Sequence, residues 1–139
     1  MRAARALLAL CWLGQVFGGC APTSCPGPDR PPDRILLVTT IGCAPCSRAI
    51  ARLSRASRAA ARPALVEVVV LADEPADVDA YCAGVPAPFT CGGDRAGQIA
   101  RSLAVRELPV MVWQRLGSAT RRADGADVEE EIERALAGW

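Results

Sequence analysis

A chain of 139 residues has room for one folded domain and little more. Apolar residues make up 51% of it and its formal net charge is +1, which argues against a disordered chain and against a nucleic-acid binder. There is no histidine, so a Cys-His nucleophile pair, a Ser-His-Asp triad, a mixed Cys/His zinc site and a CxxCH haem attachment are all excluded.

Residues 1–19 read as an export signal. Arg2 and Arg5 form a basic start, and an apolar run from Ala6 to Phe17, broken by Gly14 and Gln15, is too short for a comfortable membrane span. The following Phe17-Gly18-Gly19-Cys20 resembles a bacterial lipoprotein signal, with Phe17 in place of the usual Leu. That resemblance implies lipidation of Cys20 and an anchored location in the periplasm or cell envelope. The competing reading is ordinary secretion with Cys20 a plain thiol. Residues 20–33 form a Pro-rich tether, with Pro22, Pro26, Pro28, Pro31 and Pro32 disfavouring both helix and ladder. Cys25 lies in it, as an exposed thiol or a partner for Cys20. The folded domain is expected over 34–139.

Its first strand, Ile35 to Ile41, is apolar without alternation, as for a strand buried on both faces. It delivers Cys43-Ala44-Pro45-Cys46 to the start of a helical pattern running from Ser47 to Ala61. Two cysteines at a helix N-terminus make a redox arrangement, because the free amides and partial positive charge there favour the thiolate that attacks disulfides. Arg48, Arg52, Arg55 and Arg58 form a stripe on that helix, expected to be solvated, opposite Ile50 and Leu53. Ala64 to Ala72 predicts a second buried strand. Asp73-Glu74-Pro75 starts a short helix ending near Gly84, and a Pro-rich piece, Val85 to Phe89, leads to Thr90 and Cys91. Asp94 is expected to cap a helix from Arg95 to Ala104 with Ile99 and Leu103 inward. Leu108-Pro109 precedes an apolar strand, Val110 to Trp113, then a turn, a polar strand over Ala119 to Ala123, and a helix from Asp127 with Val128, Ile132, Leu136 and Trp139 on one face. The order predicts an α/β domain, a mixed sheet flanked by helices.

A CxxC between the first strand and first helix, and a Pro opening the strand before a hairpin, resemble the thioredoxin fold. The stretches Val66 to Glu74 and Ala100 to Val105, with Phe89, resemble its exported TlpA/ResA-like, AhpC/TSA-related branch of thiol-disulfide oxidoreductases. The resemblance implies an extra helix and strand, here Asp73 to Cys91. It also implies Cys43 as the attacking and Cys46 as the resolving cysteine, and Pro109 as a cis-proline that helps seat the substrate. Glu74 approximately matches an acidic residue that assists proton transfer, and reads equally as a helix-start carboxylate. Three positions depart from the pattern: Gly42 stands where Trp is usual, Leu37 where thioredoxins bury an acid, and Leu108 where Thr is common.

Cys82 and Cys91 bracket the Pro-rich piece, as a structural disulfide or as a second redox pair relaying electrons from the first. No metal site and no cofactor beyond the Cys43–Cys46 pair is expected. The expected partners are protein disulfide or dithiol substrates and a membrane thiol donor or acceptor. Ala44-Pro45 adds no charge between the cysteines, which leans the reading towards a reductase. Two other functions compete. Thr40-Ile41-Gly42-Cys43 has the Thr-x-x-Cys spacing of peroxiredoxins, thiol peroxidases that share this fold, although Leu36-Leu37 replaces their proline. A metal-binding or assembly protein like the Sco copper carriers would need the histidine this chain lacks.

Overall fold

A computed structural model of the chain describes residues 32–60 and 62–136. The signal, the tether up to Pro31, Cys20, Cys25 and Trp139 lie outside the described residues. The elements run β1 (Arg34–Thr40), α1 (Ala44–Ala59), β2 (Leu65–Leu71), α2 (Pro75–Ala83), β3 (Thr90–Gly93), a 3₁₀ turn (Arg95–Gly97), α3 (Gln98–Ser102), β4 (Val110–Gln114), β5 (Arg121–Asp124) and α4 (Asp127–Leu136). The strands form one mixed sheet in the order β3-β2-β1-β4-β5. The crossover through α1 makes β2 parallel to β1, and the one through α2 makes β3 parallel to β2, whereas β4 and β5 are antiparallel to their neighbours. Among the described residues no helix is long and apolar enough to cross a membrane.

Side chains alternate across a sheet, so Ile35 and Leu37 share a face with Val66, Val68, Met111 and Trp113. These residues form one buried cluster with Ala49, Ile50 and Leu53 of α1 and Val128, Ile132 and Ala135 of α4. The opposite face is closed over Val38, Val69 and Val110 but opens at Leu36, Glu67 and Val112. β1 and β2 are therefore buried on both faces only along their C-terminal halves, which differs from the sequence expectation.

Four further differences have physical causes. Helix α1 begins at Ala44 rather than Ser47, because Pro45 has no N–H to leave unpaired in the first turn and its φ suits a helix. The extra strand implied by the resemblance is present but runs from Thr90 to Gly93, its second half disguised by two glycines of low strand propensity. The helix expected from Arg95 is broken by Ala96 (φ 55°) and Gly97 (φ 63°), and the Asp94 carboxylate accepts instead from the amides of Ile99 and Ala100, each at 2.8 Å. Ile99 and Leu103 are consequently only half-buried. Finally, the arginine stripe is partly an interhelix network. Arg48 Nε donates to Glu129 Oε1 at 2.7 Å, while Arg52 pairs with Glu129 at 3.3 Å and with Glu133.

Cys82 and Cys91 are joined as a disulfide that ties the last turn of α2 to β3, with Cα atoms 5.4 Å apart. Their sequence separation of 9 sets a loop-closure contribution of about 2.5 kcal/mol. The double variant Cys82→Ser/Cys91→Ser should lose stability of that order in chemical denaturation, and an unchanged midpoint would refute the contribution. The hydrogen bond from Arg48 holds the Glu129 carboxyl below its ordinary range, against some desolvation, with the charges of Arg48 and Arg52 adding to the effect. A lowered folded value means that this stabilisation is present above the ordinary carboxylate range and is lost as pH falls through the lowered one. Glu129→Gln should therefore flatten that part of the acid limb of the stability–pH curve, as read from denaturation at a series of pH values.

Candidate active site

The end of β1 is pinned before the chain turns. Thr40 Oγ1 donates to the Leu71 carbonyl at 2.8 Å, fixing β1 against the last residue of β2. The chain then reverses through Ile41 and Gly42. Gly42 has φ 75°, a conformation that a side chain disfavours although a Cβ there would touch nothing within 4 Å. The bulky residue usual in the resembling family is thus replaced by one that the turn favours for its backbone. Ile41 is left 47% exposed beside the site.

Cys43 is the N-cap of α1 (φ −80°, ψ 99°). Its Sγ accepts the Cys46 N–H at 3.2 Å, and its carbonyl accepts from Ser47 N at 3.1 Å. No acidic residue lies in the first helical turn to oppose the helix dipole. Cys43 and Cys46 form a disulfide with Cα atoms 5.2 Å apart. Their exposures differ: Cys46 is fully buried at 0%, while Cys43 remains partly accessible. An external thiol or disulfide can reach the first sulfur and not the second.

The Leu108–Pro109 peptide bond is cis, and Pro109 is buried. It directly precedes Val110, which pairs with Val38, so Pro109 sits at the sheet edge from which the two cysteines emerge. Its carbonyl accepts from Gly125 N–H at 2.8 Å, a contact between the start of β4 and the turn into α4 that sequence spacing does not announce. A second cis bond, Ala87–Pro88, lies in the Pro-rich piece.

Glu74 is also at this edge, three residues beyond the end of β2 and preceding α2. It is the N-cap residue of α2, and its side chain is exposed and makes no capping hydrogen bond. Leu37 is fully buried in the apolar cluster, leaving no acid at that position. Cys91 pairs with Val68, itself opposite Leu37. Two strand spacings and three residues of rise put Cys91 and Thr40 roughly 14 Å apart by Cα. Cys43 lies three residues beyond Thr40, past the end of β1, whereas Cys91 is paired inside the sheet. Among the described residues no group of three or more Cys, Asp or Glu side chains could hold a metal ion.

No protein-family model and no curated protein matches the chain. Solved structures do. A secreted Mycobacterium tuberculosis disulfide oxidoreductase homologous to E. coli DsbE superposes with a TM-score of 0.61 at 18% identity, over 75% of this chain and 80% of that one. A Chlorobium tepidum protein assigned as the thiol:disulfide interchange protein DsbE gives 0.60 at 24% identity, over 78% and 82%. The exposed lipoprotein thioredoxin of Streptococcus pneumoniae gives 0.58 at 17%, over 76% and 84%. The chain has the thioredoxin fold.

Gly125 offers a test of how the Pro109 segment is held. It has φ 55°, and a Cβ there would lie 2.6 Å from Glu107 Oε2. Gly125→Ala should cost about 1–2 kcal/mol from the left-handed backbone alone. Adding Glu107→Ala should relieve the contact but leave that backbone cost, as measured by urea denaturation of both variants. Full recovery in the double variant would refute the backbone argument.

Proposed function

We propose that the chain is an enzyme, a thiol-disulfide oxidoreductase working through Cys43 and Cys46. One observation carries the reading: an accessible sulfur at the N-cap of α1, accepting the Cys46 amide at 3.2 Å and bonded to a fully buried second sulfur. A helix N-terminus favours the thiolate, which is the nucleophile of disulfide exchange. In the reducing direction Cys43 thiolate attacks a substrate disulfide. An Sγ–S bond to the substrate forms, the substrate's own S–S bond breaks, and the departing thiolate takes up a proton. Cys46, deprotonated, then attacks Cys43 Sγ, closing the intrachain disulfide and releasing the second substrate thiolate. Two electrons pass to the substrate, and the oxidising direction is the reverse. Pro109, at the same edge, serves to seat the substrate chain.

The finer reading is a reductase-leaning enzyme acting on exported proteins and recharged by a membrane thiol donor. Ala44 and Pro45 put no charge between the cysteines, which favours a thioredoxin-like poise over that of a strong oxidant. Export is supported by the basic and apolar start of the sequence and by the secreted and lipoprotein character of two structural neighbours. Anchoring through Cys20 is part of the same proposal. Glu74 is kept as a proton-relay candidate on its position at the site's edge. The peroxidase alternative draws less support, because the Thr40 hydroxyl is committed to the Leu71 carbonyl.

Insulin-disulfide reduction tests the reading. Cys43→Ser should abolish activity, and Cys46→Ser should stop turnover and accumulate a mixed disulfide visible by mass spectrometry. Full activity in both variants would overturn the assignment.

A further inference from the structure

One face of α1 continues away from the cysteines as the wall of a groove of about 610 Å³. Ser47, Ile50, Ser54, Arg55 and Arg58 recur along it at helical spacing, opposite Tyr81, Val85 and Pro86. The groove's upper end adjoins the reactive pair, where Ser47 Oγ donates to the Cys43 carbonyl at 3.4 Å. Tyr81 and Val85 pack against the apolar core, and the Cys82–Cys91 disulfide anchors their segment to β3. The opposite wall is thus held in place.

The charges on α1 are divided. Arg48 and Arg52 face α4 and are neutralised by Glu129 and Glu133. Arg55 and Arg58 line the groove and have no carboxylate partner among the described residues, Arg58 donating to the Ser54 hydroxyl at 2.6 Å. The groove therefore joins a disulfide at one end, an apolar middle and two guanidinium groups at the other.

Resting on the redox reading above, we propose that this groove docks the segment of a protein substrate that flanks its reacting cysteine and carries Asp or Glu. Arg55 and Arg58 lie about 18 Å and about 22 Å along the helix from Cys43, at about 1.5 Å per residue. An extended peptide advances about 3.3 Å per residue, which places the acidic side chains roughly five to seven residues from the cysteine.

The test uses short single-cysteine peptides, blocked as mixed disulfides with a small thiol, carrying an acidic, amide or basic pair six positions from the cysteine on either side. The wild-type chain should react with one acidic peptide about three- to tenfold faster than with its amide counterpart, a preference that shrinks as salt is raised. Moving the acidic pair to the second position should remove the preference, and Arg55→Glu/Arg58→Glu should reverse it towards the basic peptide. In parallel, fluorescence anisotropy of serine-substituted peptides on the Cys43→Ser/Cys46→Ser chain reads docking without exchange. Equal rates for acidic and amide peptides, or an order unchanged in the arginine variant, would overturn the groove while leaving the redox reading intact. No exchange with any peptide, alongside anisotropy that still ranks acidic first, would overturn the redox reading and support the groove.

Discussion

A sulfur atom caps the first turn of α1, and the geometry of the site follows from that contact. A helix start leaves amides without partners, and side-chain oxygens usually satisfy them. Here Cys43 Sγ accepts the Cys46 amide, so the same contact that begins the helix also offers a thiolate its hydrogen-bond donor. Pro45 assists by starting the helix without an amide of its own, and Cys46 is carried into the core, where exchange partners cannot reach it. Capping, burial and reactivity are three consequences of one local arrangement.

That arrangement is useful only if its surroundings hold still. β1 is the central strand, clamped by β2 on one side and β4 on the other, and Thr40 adds a side-chain bond at the end nearest the cysteines. On the β4 side, the Gly125 amide grips the Pro109 carbonyl, so the turn into α4 helps position a residue far from it in sequence. The ion pairs from Arg48 and Arg52 to α4 join the two helices covering that face. They are exposed, so their role is one of orientation more than of stability.

The parts of this molecule legible in the sequence are those written locally. The apolar runs of β1, β2 and β4, the CxxC at a strand–helix junction and the Pro opening β4 each show within a few residues. What escaped the sequence is either long-range or disguised. Arg48 looked solvated because its partner is 81 positions away. β3 was implied only by the family resemblance, and its second half was hidden by Gly92 and Gly93, whose place in the sheet comes from pairing with β2 and not from propensity. Asp94 was recognised as a cap but assigned to the wrong turn, since nothing in the residue types announces the left-handed Ala96. For Glu74 the sequence left two readings, and its exposed, uncapped side chain adds no contact favouring the proton relay.

Two disulfides in one small domain meet opposite electrostatic settings. Cys43 stands at the N-terminal end of α1, where the helix field favours a thiolate and so eases opening of its disulfide. Cys82 stands in the last turn of α2, at the end carrying partial negative charge, and its partner Cys91 is held in a strand. A thiolate gains nothing from the helix at that position, so the field there does not ease reduction. Helix polarity thereby gives the two disulfides different electrostatic settings, without any difference in the cysteines themselves. The Cys82–Cys91 bond also ties α2 to β3, the segment whose Tyr81 and Val85 pack against the core cluster to which α1 contributes.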